Sequence, residues 1–456
     1  MPPIHRMKLI ILCFFVSTLL GAVQKPNIIF ILCDDLGYGD LAINGHPYIK
    51  SPNIDRLSRE GLTIQNAYMS SAWCAPSRYA LMSGRYPAHY FQKSLTMNPA
   101  APNLYRTLKS VGYTTAHFGK WHMSGKGADA PSVPEYGVDE NFIHNGKEEG
   151  WTQEARQQPH WRENTTQYYV DLAIDFIEQQ KSTDSPFYLN LWVYPTHSYI
   201  DPRPDMLEPY RDLQVSIRDF ENPLMRDFLQ WIGTQGDLQA AMRAYCSDVT
   251  ELDKQIGRLM QAIQAAGIDE NTLILFSSDN GPPPLGGVDN RNQLAERIKE
   301  QPTLVNCVGS SGPFRDRKIS LYDGGTRVPF FVRWPGKVPA QTIDSQTIFT
   351  GIDLLPTIAS LVGAPVPQNL DGENLLTALT GQSKIRAAPH YWNDRPGWTA
   401  LRDKQWKAHL RKGKIRLFNI LDDPSESQDL SQRLPEKAAH YESLLSSWEA
   451  KVLSPK

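Results

Sequence analysis

The run Ile28-Ile29-Phe30-Ile31-Leu32 is apolar at every position and stops at two carboxylates, Asp34-Asp35. A strand with one wet face alternates, whereas an unbroken β-branched run belongs to a strand buried on both faces, in a parallel sheet covered by helices. The same figure returns late in the chain, where the apolar stretch Thr272–Ser277 leads to Asp279-Asn280. Helical segments alternate with these strands. Ser51-Pro52-Asn53 opens a short helix with a capping residue and a first-turn proline, Ile54 and Leu57 share a face, and Gly61 closes it. Val249, Leu252, Ile256, Leu259, Met260 and Ile263 fall at helical spacing before a stop at Gly267. Pairs over Leu104–Val111 with Tyr113–His117, and Tyr169–Ile177 with Phe187–Val193, complete the rhythm. The pattern predicts an α/β domain with a largely parallel sheet.

Two stretches interrupt that rhythm, 124–166 and 282–312, and both read as long surface loops. Near 364–372 the composition is that of a linker, and short alternating strands follow at Trp398–Leu401, Trp406–Leu410 and Ile415–Asn419, then a helix from Pro435 to Val452. The expected division is an α/β domain over 23–366 and a small C-terminal α+β domain over 367–456. Residues 1–22 carry Arg6 and Lys8, an apolar run from Leu9 to Leu20 and the small pair Gly21-Ala22, the pattern of a signal peptide. The expectation is an exported protein, periplasmic or secreted. The run is shorter than the roughly 20 residues that span a bilayer and no later segment approaches that length, so no integral membrane segment is expected.

Charge limits the partners. With 47 Lys+Arg against 49 Asp+Glu in 456 residues the net charge is −2, without the basic excess of a nucleic-acid binder. An anionic substrate therefore has to be met by local positive charge. Five cysteines without a C-x-x-C pair exclude a disulfide scaffold and a zinc ribbon. Cys33 and Cys246 are expected in the core, and Cys307 in an exposed loop.

Ligands of open α/β sheets bind at the carboxyl ends of strands, so Asp34, Asp35, Asp279 and Asn280 are candidates to converge on one point. Hard oxygen donors of this kind select Ca²⁺ or Mg²⁺. Each pair alone also fits strand termination or helix capping. The segment Cys74-Ala75-Pro76-Ser77-Arg78 precedes a helical run, Tyr79–Ser83, that Gly84 ends. Pro76 suits a first turn, which puts Cys74 at a helix N-terminus where an anion is favoured. Its own chemistry leaves two readings open, a buried apolar residue or a low-pKa thiolate nucleophile.

Cys74-x-Pro76-Ser77-Arg78 with Ser83-Gly84-Arg85 resembles the signature of the formylglycine-dependent sulfatases, of the alkaline phosphatase-like superfamily. The likeness continues in that family's order through Asp34-Asp35-Leu36-Gly37, Gly119-Lys120-Trp121-His122, Ser278-Asp279-Asn280-Gly281, Lys318, Asp323-Gly324-Gly325-Thr326-Arg327-Val328-Pro329 and Trp334-Pro335-Gly336. The resemblance implies an α/β/α sandwich around a large mixed sheet, with a smaller C-terminal antiparallel sheet. It implies one Ca²⁺, with Mg²⁺ the lesser choice, held by Asp34, Asp35, Asp279 and Asn280 beside Cys74. That cysteine would be converted to 3-oxoalanine (formylglycine) by a formylglycine-generating maturation enzyme. The hydrated aldehyde is then the nucleophile toward sulfur, and its second hydroxyl expels the sulfate by reforming the aldehyde.

Lys120 and Lys318 would neutralise sulfate oxygens, and Arg78 would hold the diol or a metal ligand. His122 is the candidate base, and His197 the candidate acid for the leaving alcohol. Two departures from the family pattern stand out: Thr196 separates Pro195 from His197, and Asp323 stands where many members have glutamate. The implied substrate is a sulfated carbohydrate of algal-polysaccharide or glycosaminoglycan type. The alternatives are a phosphate or phosphonate ester hydrolase of the same superfamily, and a catalytically silent glycan-binding relative. The two long loops are expected to shape the pocket through Tyr136, Trp151, His160, Trp161, Arg162, Arg291, Asn292 and Arg297, with His390-Tyr391-Trp392 closing one wall.

Overall fold

The computed structural model describes residues 24–453 except 91–95, 126, 128, 148–149, 198, 284–294, 297–306 and 396. The 1–22 segment and Arg291, Asn292 and Arg297 lie outside the described residues. Eight strands form one sheet: β1 (Asn27–Asp34), β2 (Leu62–Tyr68), β3 (Thr114–Lys120), β4 (Glu140–His144), β5 (Phe187–Thr196), β6 (Thr272–Ser278), β7 (Phe330–Arg333) and β8 (Thr342–Thr350). Their spatial order is β4-β3-β5-β1-β6-β7-β2-β8. Every pairing is parallel except the two that β7 makes, with β6 and with β2. The sheet is therefore mixed through one short strand.

The apolar run of β1 is central and fully buried, and its alternate residues feed two different cores. Ile29, Ile31 and Cys33 join the helices Trp161–Gln180 and Leu238–Ala265 on one side. Ile28, Phe30 and Leu32 join Leu81, Leu108 and Leu355, from the helices Cys74–Ser83, Leu104–Lys109 and Leu354–Leu361, on the other. Two apolar faces in one strand are why its sequence does not alternate. The result is the α/β/α arrangement that the resemblance implied.

Several local expectations are corrected. Ser51 does not cap the helix Pro52–Arg59 with its side chain. Its hydroxyl binds Asp55, while Asp253 Oδ1, from the long helix Leu238–Ala265, accepts the N–H groups of Asn53 and Ile54 at 2.8 Å each. The cap is thus supplied in tertiary structure. The stretch 124–166 is not one loop: it contains β4 and the first turns of Trp161–Gln180, where the buried residues Arg162, Glu163, Thr165 and Thr166 are polar and so do not mark an apolar helix face in the sequence. Cys307 is fully buried rather than exposed, and the four described cysteines are free thiols. None of the described helices is long and apolar enough to cross a membrane.

A second sheet of four antiparallel strands follows, β9 (His390–Arg395), β10 (Trp398–Asp403), β11 (Trp406–Arg411) and β12 (Lys414–Asn419), in the order β12-β11-β10-β9. Leu401, Ala408 and Leu417 pack on Tyr441 and Leu445 of the terminal helix Pro435–Leu453. The opposite face presents Trp392, Trp398, Ala400 and Phe418 to Tyr68, Leu321 and Ile348 of the large sheet and its connections. Two aromatic residues of the expected wall, His390 and Trp392, are interior here, and Trp392 Nε1 donates to the Met69 carbonyl at 2.8 Å.

A polar pair crosses this seam. The Lys407 ammonium, with no exposed surface, donates to Asp323 Oδ1 at 2.6 Å, and Tyr68 OH donates to Asp323 Oδ2 at 2.9 Å. Removing one partner of a buried pair leaves an uncompensated charge, at a cost of about 3–5 kcal/mol. Lys407→Met is expected to lower the unfolding free energy by that amount in chemical denaturation. An unchanged denaturation midpoint would show that the pair does not hold the seam.

Candidate active site

The site begins with strand register. β1 and β6 are neighbours with Cys33 opposite Ser278, so the residues that follow each strand emerge side by side. Asp279 N donates to the Cys33 carbonyl at 3.1 Å, and Asp35 N to Asp279 Oδ1 at 3.1 Å. Asn280 Nδ2 then reaches Asp35 Oδ1 at 2.7 Å. Asp35 takes a positive φ of 72°, which turns the chain away at the strand end. All four side chains are buried.

Three carboxylates so close repel, and three cations answer them. Lys120, at the end of β3, donates to Asp34 Oδ2 at 2.5 Å. Lys318 donates to Asp35 Oδ1 at 2.5 Å. Arg78 places Nε and Nη2 on Asp279 Oδ2 at 2.9 and 2.6 Å, and Nη1 on the Lys120 carbonyl at 2.9 Å. Burial alone would raise Asp34, yet Lys120 together with His197, Arg78 and Lys318 holds it well below the usual carboxylate range. For Asp279 burial outweighs Arg78 and pushes the carboxyl up to about 6. Of the two roles expected of Arg78, the geometry displays the hold on Asp279.

Cys74 is the first residue of the helix Cys74–Ser83, which ends at a left-handed Gly84 as its sequence predicts. Its thiol is buried, and burial raises its pKa against the lowering effect of Lys120 and Lys318. The low-pKa thiolate reading is thereby corrected: as a cysteine this side chain stays protonated at neutral pH. His122 Nδ1 lies 3.5 Å from Sγ. Burial, then Lys120, pushes His122 down to about 2, so its imidazole is neutral. His197 is half-buried, with Nε2 4.0 Å from Asp35 Oδ2, and burial lowers its pKa as well. The Lys318 segment is laced to the Cys74 segment by Ile319 N donating to the Ala72 carbonyl at 2.9 Å.

All ten candidate residues are therefore brought together. One donor atom each of Asp34, Cys74 and Asp279 lies within 4.8 Å of the others, and the same holds for Asp34, Asp35 and His197. Asp34 Oδ1 and Asn280 Oδ1 are buried oxygens without a hydrogen bond. Buried acceptors are ordinarily satisfied, so two orphaned oxygens among carboxylates fit a hard divalent cation.

Glycine is required where the motifs meet. A Cβ on Gly281 would lie 1.9 Å from the Gly324 carbonyl oxygen, so the Asp323-Gly324-Gly325 turn closes directly on the Asp279-Asn280-Gly281 segment. Asp323 accepts from Lys407 and Tyr68, away from Lys318, and serves the sheet seam.

Other supports carry no motif in the sequence. Thr196, which looked like an interruption, donates its hydroxyl to the Asp35 carbonyl at 3.0 Å. Arg162, expected at a substrate surface, is buried, pairs with Asp248 and holds the His197 carbonyl at 2.8 Å. Tyr136 is also buried and donates to the Met97 carbonyl at 2.7 Å. Trp151 and His160 are half-buried and bonded to Tyr169 and Asp201, and Trp161 packs edge-on against Tyr194 at 6.0 Å. His144 stacks flat on Tyr194 at 4.2 Å.

This architecture and site define a hydrolase of the alkaline phosphatase-like fold, and the comparisons say which one. The Sulfatase family model matches residues 26–364, and the C-terminal model of N-sulphoglucosamine sulphohydrolase matches 309–444. The chain belongs to the sulfatase family and is a sulfuric ester hydrolase. It is 30% identical to N-acetylgalactosamine-6-sulfatase of Mus musculus over 86% of this chain and 73% of that one. It is 25% identical to N-acetylgalactosamine-6-O-sulfatase of Bacteroides thetaiotaomicron, with 93% of each covered. The solved structure of Ps i-CgsB in complex with k-i-k-neocarrahexaose is 26% identical, with a TM-score of 0.75 over 93% of each chain.

Behind Lys120, His117 passes a hydrogen bond to the Lys120 carbonyl at 3.2 Å and meets Tyr105 OH at 2.7 Å. Burial pushes its pKa from 6.5 down to about 3. The unfolded chain takes up this proton as pH falls through 6.5 and the folded chain only near 3, so stability is withdrawn progressively across that interval. His117→Gln removes the titration and is expected to flatten the loss of melting temperature between about pH 6.5 and about pH 4. Equal slopes for variant and wild type would contradict a neutral His117.

Proposed function

We propose that this chain is an exported sulfatase that removes sulfate from a sulfated carbohydrate, using formylglycine made from Cys74 and one Ca²⁺. The observation that carries the reading is the meeting of Cys74, the neutral His122 and three cations with four oxygen-bearing side chains, two of which keep orphaned oxygens. Asp34, Asp35, Asp279 and Asn280 would hold the calcium, whose chemistry is to polarise a sulfate oxygen as a Lewis acid. The hydrated formylglycine side chain supplies an oxygen nucleophile that can release its sulfate by reforming the aldehyde.

The remaining work falls to residues of the chain. Lys120 and Lys318 meet the charge of the sulfate oxygens in a water-poor pocket, where preorganised cations stabilise developing charge well. Arg78 keeps Asp279 oriented. His122, neutral and beside position 74, takes the proton whose removal lets the sulfated side chain collapse. His197, the more exposed imidazole, delivers a proton to the leaving alcohol. Support for a sugar substrate comes from relatives named N-acetylgalactosamine-6-sulfatase and N-acetylgalactosamine-6-O-sulfatase and from the k-i-k-neocarrahexaose in the Ps i-CgsB complex. Export rests on the basic and apolar N-terminal pattern.

Mass spectrometry of the Cys74 peptide, after co-expression with a formylglycine-generating enzyme, is expected to find the aldehyde. Sulfate release from sulfated glycans should then fall at least about 10³-fold in Cys74→Ala. Release by that variant at the wild-type rate, or faster turnover of phosphonate than of sulfate esters, would overturn the reading. Dialysis against a chelator is expected to lower the melting temperature, with Ca²⁺ restoring it at lower concentration than Mg²⁺. A melting temperature indifferent to chelator and to both ions would remove the metal from the proposal.

A further inference from the structure

We infer that the seam between the two sheets holds a second binding site, for a sulfate-type oxyanion, built on Arg402 and sharing no residue with the catalytic pocket. Arg402 lies in β10, opposite His390 of β9 and Lys407 of β11, so three nitrogen-bearing side chains leave one face of the small sheet in a row. That is the face packed on the large sheet. Lys407 gives its charge to Asp323, and burial lowers the pKa of His390 and keeps its ring neutral. Arg402 remains. It is 2% exposed, and its buried Nε and Nη1 have no hydrogen-bond partner among the described residues. Asp323 is near enough to feel its charge, but the Asp323 oxygens are taken by Lys407 and Tyr68. A guanidinium is a donor at every nitrogen, and two buried nitrogens without an acceptor are costly. The arrangement calls for an anion.

A cavity of about 200 Å³ lies against Arg402, and an anion held there would draw toward it the guanidinium, whose Nε and Nη1 are themselves enclosed. Arg386, Lys404 and Ser345 line it too, with Asn66, whose amide donates to the Ser345 carbonyl at 2.6 Å. Arg386 bonds Asp353 and Thr350 through Nη1, while its Nε is buried without a hydrogen bond, 3.7 Å from the nearest Glu373 oxygen. Asp403 is the one acid in the lining, and its Oδ2 accepts from Tyr441 OH at 3.0 Å. Arg386 is answered by Asp353, so Arg402 and Lys404 stand against Asp403, a lining that disfavours a metal ion and favours an oxyanion. The planar fork of arginine matches the paired oxygens of a sulfate group. Such a group has two sources: free inorganic sulfate, or a sulfate ester on a polymer lying across the seam.

Crystals of the full chain soaked in selenate test the site through anomalous scattering. The expected result is a peak within hydrogen-bond distance of the Arg402 guanidinium, absent in Arg402→Gln. Lys404 is exposed, so Lys404→Gln serves as the variant least able to disturb folding, and it is expected to need at least about tenfold more selenate for equal occupancy. A peak in the catalytic pocket with none at Arg402, or equal occupancy in both variants and wild type, would overturn the inference. A soak of Cys74→Ala protein with a sulfated oligosaccharide separates the sources. Density for a sugar-borne sulfate at Arg402 assigns the polymer, and an isolated tetrahedral ion assigns free sulfate. None of these readouts requires turnover, so failure here and failure of the catalytic reading are distinguishable.

Discussion

The parallel pairing of β1 with β6 sets the site. It delivers Asp34, Asp35, Asp279 and Asn280 to one place, and it commits the fold to neutralising three buried carboxylates. Burying such a set is affordable only if each charge is answered, because desolvation of an ion exceeds most single interactions. Lys120 arrives from β3, two strands away, Arg78 from a helix on one face, and Lys318 from the connection that precedes β7. Each binds a different carboxylate. The cations are thus structural first, and the same charges then become available to an anionic substrate.

Their supports lie deeper still. The Lys120 carbonyl is held by Arg78 and by His117, which is neutral because it is buried, so backbone and side chain of one lysine are both fixed. His197 is placed by bonds to its own backbone, through Tyr194 and Arg162, while its ring stays partly open to solvent. That difference suits the two imidazoles to different tasks. His122 is enclosed beside Cys74, and His197 stands at the half-open edge of the site, as its proposed role toward a leaving alcohol requires.

The small sheet contributes more than cover. Its inner face mixes aromatic rings with Lys407, His409 and Arg402, and the first two are answered within the seam by Asp323 and Glu426. Asp323 belongs to the turn that closes on Gly281, so the seam is continuous with the strand end that carries Asp279 and Asn280. A polar interface of this kind specifies one docking geometry, since any other would leave charges buried and unpaired.

Much was legible in the chain itself. The unalternating run of β1 announced burial on both faces, Pro76 and Gly84 bounded the helix that carries Cys74, and the ordered motifs named the ten residues that meet. What the sequence could not express was partnership across long separations. Asp253 capping another helix, Arg162 turned inward onto Asp248, Thr196 reaching the Asp35 carbonyl and Cys307 in the core all depend on which surfaces meet. Local pattern determined the elements, the family and the candidate site residues, because periodicity and turn chemistry act over a few neighbours. Tertiary structure alone decided which charge answers which, and that two nitrogens of Arg402 are left without acceptors, because the energy of a buried ion is set by whatever the fold brings beside it.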